Sequence, residues 1–299
     1  MRNPYISSDF FGRLQTQALR FGNELTGFFG GKHRTNKYGQ TVEFADYREY
    51  MLGDDIRRID WNLYSRFDKH YIKLFNDERQ MHVQIYLDCS ASMGKNIIKK
   101  GQYAQALTAG LGFLAVNDTD KVSLKLIKGN KLDLSFGLIV GKNSFYRAVR
   151  RIEDIVYEGE CFLSEAIVGD RQTGAKDGIS IIISDFLTDN DWKRAVDYLR
   201  FKGREVLLVQ ILASEEISPN YMGRLNLIDS ESASLEDGRN MRLRINSRHY
   251  KAYEEAVRSI RERIRAFCVS RRAGYACIDT GTPVENAIFR ELLKAGALQ

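Results

Sequence analysis

From about residue 81 onward, short continuous apolar runs alternate with stretches of helical periodicity, and this alternation constrains the fold more than any other feature. The segments 82–87, 179–183 and 206–212 (His-Val-Gln-Ile-Tyr-Leu, Ile-Ser-Ile-Ile-Ile and Val-Leu-Leu-Val-Gln-Ile-Leu) are apolar at successive positions. A strand of that kind must be covered on both faces, which is the situation of a parallel sheet between layers of helices. Between the runs, Tyr103, Leu107, Gly110, Leu111 and Leu114 recur on one helical face. Further helices are expected at about 144–155, 192–201, 247–271 and 284–293. Val122, Leu124 and Leu126, then Leu132, Leu134 and Phe136, alternate around Lys128-Gly-Asn-Lys131 and read as a hairpin at a sheet edge. Segments 225–228 and 241–245 read as another strand pair, and 275–278 as a short strand. The expected fold class is α/β, a doubly wound and mainly parallel sheet with helices on both faces, preceded by an N-terminal segment.

That segment reads differently. Leu14, Ala18, Phe21, Leu25 and Phe28 step at helical intervals until Gly30-Gly31. Residues 42–78 are charged and aromatic at once, with a strand expected at 71–75. The division expected is therefore 1–80 and 81–299. With 299 residues, 43% hydrophobic and 28% charged, the chain can bury a sizeable core, which excludes wholesale disorder. No run of some 18 apolar residues and no basic-then-apolar leader is present, so neither a membrane span nor export is expected, and the expected location is cytoplasmic. Cys89, Cys161, Cys268 and Cys277 lack metal-knuckle spacing and point to no disulfide framework. The net charge of +6 is concentrated from Arg239 onward, where 13 Lys+Arg stand against six Asp+Glu. Arg248, Lys251, Arg258, Arg261, Arg263 and Arg265 lie in the helical stretch there. They read as the solvated face of an amphipathic helix, and nucleic-acid binding is not expected.

Two strand ends carry the chemistry. Leu87-Asp88-Cys89-Ser90-Ala91-Ser92-Met93-Gly94 places a carboxylate and two hydroxyls at alternate positions where a strand turns into a helix. Alternate positions of an extended segment face one side, so the three oxygens can converge. Ser184-Asp185-Phe186 ends a second buried strand with another carboxylate. Hard oxygen donors with few charges suit Mg²⁺ or Mn²⁺ and leave room for an outside ligand. The competing reading is ordinary helix N-capping by Ser and Asp.

Asp88-x-Ser90-x-Ser92 with Asp185 resembles the metal-ion-dependent adhesion site of von Willebrand factor A-type domains. The preceding stretch resembles a narrower, bacterial family, the domain of unknown function numbered fifty-eight. The resemblance rests on Gly39-x-x-x-Glu43-Phe44-x-x-Tyr47-Arg48-x-Tyr50, Gly53-Asp54-Asp55-x-Arg57-x-Ile59-Asp60-Trp61 and Lys73-x-Phe75-x-x-Glu78. It implies a von Willebrand A-like core, partnership with MoxR-type AAA+ ATPases, and no general enzymatic activity. Carried over, the metal set is Asp88, Ser90, Ser92 and Asp185. The loop Tyr157–Ile167 departs from the family pattern, because Cys161 stands where Thr is expected. A thiol is a soft, weak ligand for Mg²⁺, so water or Ser164 would have to take that place.

Asp54, Asp55, Arg57 and Asp60 are a second candidate surface for a partner, although their mixture with Arg58 and Trp61 reads more readily as a structural ion-pair lattice. No Walker A loop, Rossmann glycine fingerprint or Gly-x-Ser-x-Gly elbow is present. The expected function is a non-enzymatic interaction module with a metal-dependent docking site. The alternatives are a metal-dependent phosphoesterase built on Asp88 and Asp185, and a scaffold whose metal site has degenerated.

Overall fold

The computed structural model describes residues 3–7, 9–21, 43–51, 54–76, 81–94, 100–117, 121–133, 136–170, 178–188, 190–219, 223–228, 240–245 and 247–297. The chain forms two compact units, one made of residues 1–31 and 81–299 and one of residues 32–80.

In the smaller unit, β1 (Glu43–Glu49) pairs antiparallel with β2 (Tyr71–Asn76), with Glu49 opposite Tyr71. The strand expected at 71–75 is thus present. The helix Trp61–Phe67 between them was not expected, because seven residues give too little periodicity to read. Its start is nevertheless encoded, since the Asp60 carboxylate caps it by accepting from Asn62 N at 2.9 Å. The helix ends at Asp68, which takes the left-handed conformation at φ 53°. The ion-pair lattice is real, but the cations seen in it are Arg48 and Lys73. Arg48 Nη2 contacts both oxygens of Asp54 at 2.8 and 2.9 Å, and Lys73 Nζ lies 3.0 Å from Asp60 Oδ2.

In the larger unit, chain order gives β3 (His82–Asp88), β4 (Lys121–Lys128), β5 (Lys131–Asp133), β6 (Leu138–Ile139), β7 (Ile179–Ser184) and β8 (Glu205–Leu212). The antiparallel pair β9 (Gly223–Ile228) and β10 (Asn240–Ile245) and the strand β11 (Gly274–Asp279) follow. The main sheet runs β11-β8-β7-β3-β4-β5, with β6 also on β4. Pairing from β11 through β4 is parallel, while β5 and β6 are antiparallel to β4. The doubly wound α/β class is therefore as expected. β4 and β5 form the anticipated hairpin, with Leu134 outside the described residues, and β4 is buried on both faces, Lys125 included.

Period-two alternation divides the core into two layers. Val83, Ile85, Leu87, Ile181, Ile183, Leu207 and Val209 pack with the helix Lys100–Asn117 and the C-terminal helical segment. Tyr86, Ile182, Val206 and Leu208 pack with Leu163, Val196, Ile264 and Cys268 on the other face. The N-terminal helix Phe10–Arg20 belongs to the first layer, with Phe10 1% and Leu14 0% exposed. This corrects the 1–80 grouping: an apolar helix face buries where a core exists, and that core is the α/β sheet. The helical signal at Leu25 and Phe28 lies outside the described residues.

The long helix Ser247–Ser270 buries Val257, Ile264 and Cys268, while Lys251, Arg258, Arg263 and Arg265 stay exposed. These four basic residues are its solvated face, as read from the sequence, whereas Arg261 is half-buried beside Tyr275 and Cys277; the side chain of Arg248 lies outside the described residues.

Candidate functional site

Strand order decides where the site lies. β3 has β4 on one side and β7 on the other, so the winding direction reverses between β3 and β7. In open α/β sheets the crevice at the carboxyl ends of the strands flanking such a reversal is the usual ligand position. Asp88 ends β3 and Asp185 directly follows β7, so both carboxylates lie at that crevice. Each is 3% exposed.

Both oxygens of Asp88 are held. Oδ1 accepts from Ser90 N at 2.8 Å, and Oδ2 accepts from the Ser184 hydroxyl at 2.6 Å. Ser184 Oγ in turn accepts from Phe186 N at 3.0 Å. Phe186 sits at φ 51°, a region costly for a side chain of its size, so the turn carrying Asp185 is strained. Asp185 Oδ1 accepts from Leu187 N at 3.1 Å, and its main-chain carbonyl accepts from Gln210 Nε2 at 2.8 Å. Burial, and then the nearby charge of Asp185, raise the pKa of Asp88 against the lowering effect of its hydrogen bonds.

The hydroxyls of Ser90 and Ser92 lie 3.0 Å apart, Ser90 buried and Ser92 half-buried. The loop after the helix Gly141–Ile152 braces this turn from outside. Ala91 N donates to the Gly159 carbonyl and Glu158 N to that of Cys89, each at 2.9 Å. Tyr157 packs so closely that a Cβ on Gly94 would fall 2.0 Å from its own Cβ. The motif ends in glycine because no other residue fits there.

A buried cation also occupies the crevice. Lys100, 3% exposed, donates from Nζ to Asp185 Oδ2 at 2.9 Å and to Glu216 Oε1 at 2.7 Å. Burial pulls its pKa down, but the two carboxylates outweigh that and the net direction is upward, so it is an ammonium. Glu216 belongs to the short helix Ser214–Ile217 after β8; its Oε2 accepts from Ala213 N at 2.9 Å and its carbonyl from the Tyr253 hydroxyl at 2.8 Å.

The donors fit a small divalent cation on three counts. They are oxygens only, as Mg²⁺ prefers. The 3.0 Å hydrogen bond between the serine hydroxyls holds them at the edge length of about 3.0 Å between adjacent ligands of an octahedron with bonds near 2.1 Å. Asp88, Asp185 and Glu216 against Lys100 leave a formal excess of two negative charges.

Cys161 is not part of the set. Its side chain is buried with Tyr86, Ile127 and Leu163, and its carbonyl accepts from Asn190 Nδ2 at 3.2 Å. Ser164 does not substitute for it, because its hydroxyl caps Ala195 N at 3.0 Å. Cys89, beside the motif, is an inert core residue whose thiol burial pushes up to about 12. Of the second candidate group, Asp54 serves Arg48 and Met51 N, Asp55 accepts from Arg57 N at 3.0 Å, and Asp60 serves Asn62 N, Tyr47 and Lys73. Among the described residues these carboxylates are engaged in local structure. A cavity of about 400 Å³ within that unit is instead lined by Tyr50, Ile56, Arg57, Ile59, Trp61 and His70.

Lys100, Ser184 and Glu216 were missed as site residues. Lys100 was legible in principle, because it continues the face of Tyr103, Leu107 and Leu114. Glu216 was not, because only the sheet order brings the end of β8 beside that of β7.

Among known proteins, uncharacterized proteins Mb1516 of Mycobacterium bovis and Rv1480 of Mycobacterium tuberculosis are each 25% identical over 231 residues, covering 75% of this chain and 72% of theirs. Among solved structures, a von Willebrand factor type A protein from Catenulispora acidiphila aligns at 11% identity and TM-score 0.41, covering 76% of this chain and 44% of that one. The pilus adhesin SpaC from Lactobacillus rhamnosus GG aligns at 10% identity and TM-score 0.41, covering 74% of this chain and 31% of the adhesin. This chain thus spans less than half the length of either solved chain. Residues 46–263 match the family model described as "Protein of unknown function DUF58", and the chain belongs to that family.

Proposed function

We propose that this protein is a non-enzymatic docking module whose site is formed by Asp88, Ser90, Ser92 and Asp185 around a divalent cation, Mg²⁺ or Mn²⁺. A cation held there supplies a Lewis-acidic position that an acidic side chain of a partner protein completes. The observation that carries this reading is the convergence of two buried carboxylates and two hydroxyls at the β3/β7 crevice, with the hydroxyls 3.0 Å apart. Ser184 and the main-chain donors fix the carboxylates before any ligand arrives. The partner proposed is a MoxR-type AAA+ ATPase, on the strength of the family resemblance alone.

The phosphoesterase reading has less support. Asp88 is tied at both oxygens, which leaves it poorly placed as a nucleophile, and His82 lies at the opposite end of β3 from it. The scaffold reading has one specific observation in its favour, the Lys100 ammonium already seated on Asp185. Calorimetric titration of Mn²⁺, together with capture of the ATPase in Mg²⁺ or in EDTA, separates the readings. Docking requires saturable Mn²⁺ binding and capture, both lost in Asp88→Ala. Capture that ignores EDTA and Asp88→Ala overturns the metal-dependent site, and turnover of a generic phosphoester by wild type alone would favour the enzyme.

A further inference from the structure

The oxygens of Asp185 are divided between two kinds of donor. Oδ1 is held by the Leu187 amide of its own turn, at 3.1 Å. Oδ2, the oxygen left to face a cation or a cation-bound water, is held by the ammonium of Lys100 at 2.9 Å. That ammonium has a second seat, since Glu216 Oε1 is 2.7 Å away. Glu216 is anchored independently, through Ala213 N and the Tyr253 hydroxyl. Lys100 is 3% exposed, so it cannot reach a partner protein; its charge acts inside the crevice.

We infer that Lys100 is a built-in competitor for the divalent cation, an internal gate that must leave Asp185 Oδ2 for Glu216 before the site can be loaded. The inference rests on the metal-dependent docking reading and adds its regulation. Two like charges cannot share one carboxylate oxygen in a buried crevice without strong repulsion. A carboxylate placed beside Asp185 gives the displaced ammonium somewhere to go without being left unpaired, which burial would make costly. The short helix Ser214–Ile217 and, through Tyr253, the helix Ser247–Ser270 therefore feel whether the site is loaded.

The test is Mn²⁺ binding by calorimetry on the full chain. Lys100→Met removes the charge and keeps an apolar stem in the buried position, and Mn²⁺ is expected to bind at least about tenfold more tightly. Lys100→Arg keeps the charge and should bind as wild type does. The gain from Lys100→Met should vanish in a background of Asp185→Asn, because the competition is for that carboxylate. Glu216→Gln, which leaves the ammonium no second anion, should weaken Mn²⁺ binding, and it serves if Lys100→Met fails to fold. Saturable Mn²⁺ binding in wild type that tightens in Lys100→Met and does not tighten in Lys100→Arg supports the gate. Equal or weaker binding in a folded Lys100→Met overturns the gate and leaves the docking reading standing. Absence of Mn²⁺ binding in all of these proteins overturns both.

Discussion

Ser184 shows how much one side chain can decide. Its hydroxyl donates to Asp88 Oδ2 and accepts from Phe186 N, joining the two strand ends that form the site. Ser184→Ala leaves a buried carboxylate oxygen and a buried amide without that partner, and a loss of about 1–3 kcal/mol in urea unfolding is expected. At the far end of β3, His82 contacts Ser123 Oγ at 2.7 Å, and its pKa is lowered to about 4 by burial, then by the charges of Arg204, Lys125 and Lys121, against the opposing pull of Asp170. The unfolded chain therefore takes up a proton at His82 that the folded chain refuses between pH about 6.5 and about 4. The stability His82 contributes is complete above the upper value and is lost as pH falls through that window. His82→Gln, which can still reach Ser123, should flatten this part of the acid limb in a series of urea melts. A limb of unchanged slope would show that His82 does not sustain it.

At the scale of elements, the turn after β3 works because of what packs on it. Gly94→Ala would place a methyl 2.0 Å from the Tyr157 Cβ, so the loop Tyr157–Cys161 must move. A loss of about 1–3 kcal/mol is expected from such overpacking, read as a lower thermal midpoint. The loss should be smaller in a background of Tyr157→Gly, which removes that Cβ, and an undiminished loss there would place the clash elsewhere. β3, β7, β8 and the helix Lys100–Asn117 were legible because their apolar periods are long and bounded. The helix Trp61–Phe67 was not, since a short element leaves no period to detect. The Cys161 position was legible as a departure from the family pattern, and the structure explains it: the thiol packs in the apolar layer with Tyr86 and Leu163.

For the whole molecule, burial is uneven. In β3, β7 and β8 the central residues are almost wholly enclosed, and at the amino ends of these strands Arg204, 0% exposed, donates to Ser180 Oγ at 2.6 Å, to the His82 carbonyl at 2.6 Å and to that of Ile179 at 2.8 Å. Arg204→Met leaves these buried acceptors without their donor and should cost about 1–3 kcal/mol in denaturant unfolding. Native-state hydrogen exchange should find the slowest amides in these three strands. Those of β1 and β2, whose unit buries few of its described side chains, should open at a lower free energy. Equal protection in both would mean that the two units open as one. The α/β class, the sites of the central strands and long helices, and the carboxylates Asp88 and Asp185 at strand ends were determined by the sequence alone, because hydrophobic period and strand-end chemistry are local properties. The tertiary structure decided that Phe10 and Leu14 join the α/β core, that Cys161 leaves the site, and that Lys100 and Glu216 enter it. Those outcomes depend on which strands lie side by side, and strand order is set by how the layers pack, not by any stretch of neighbouring residues.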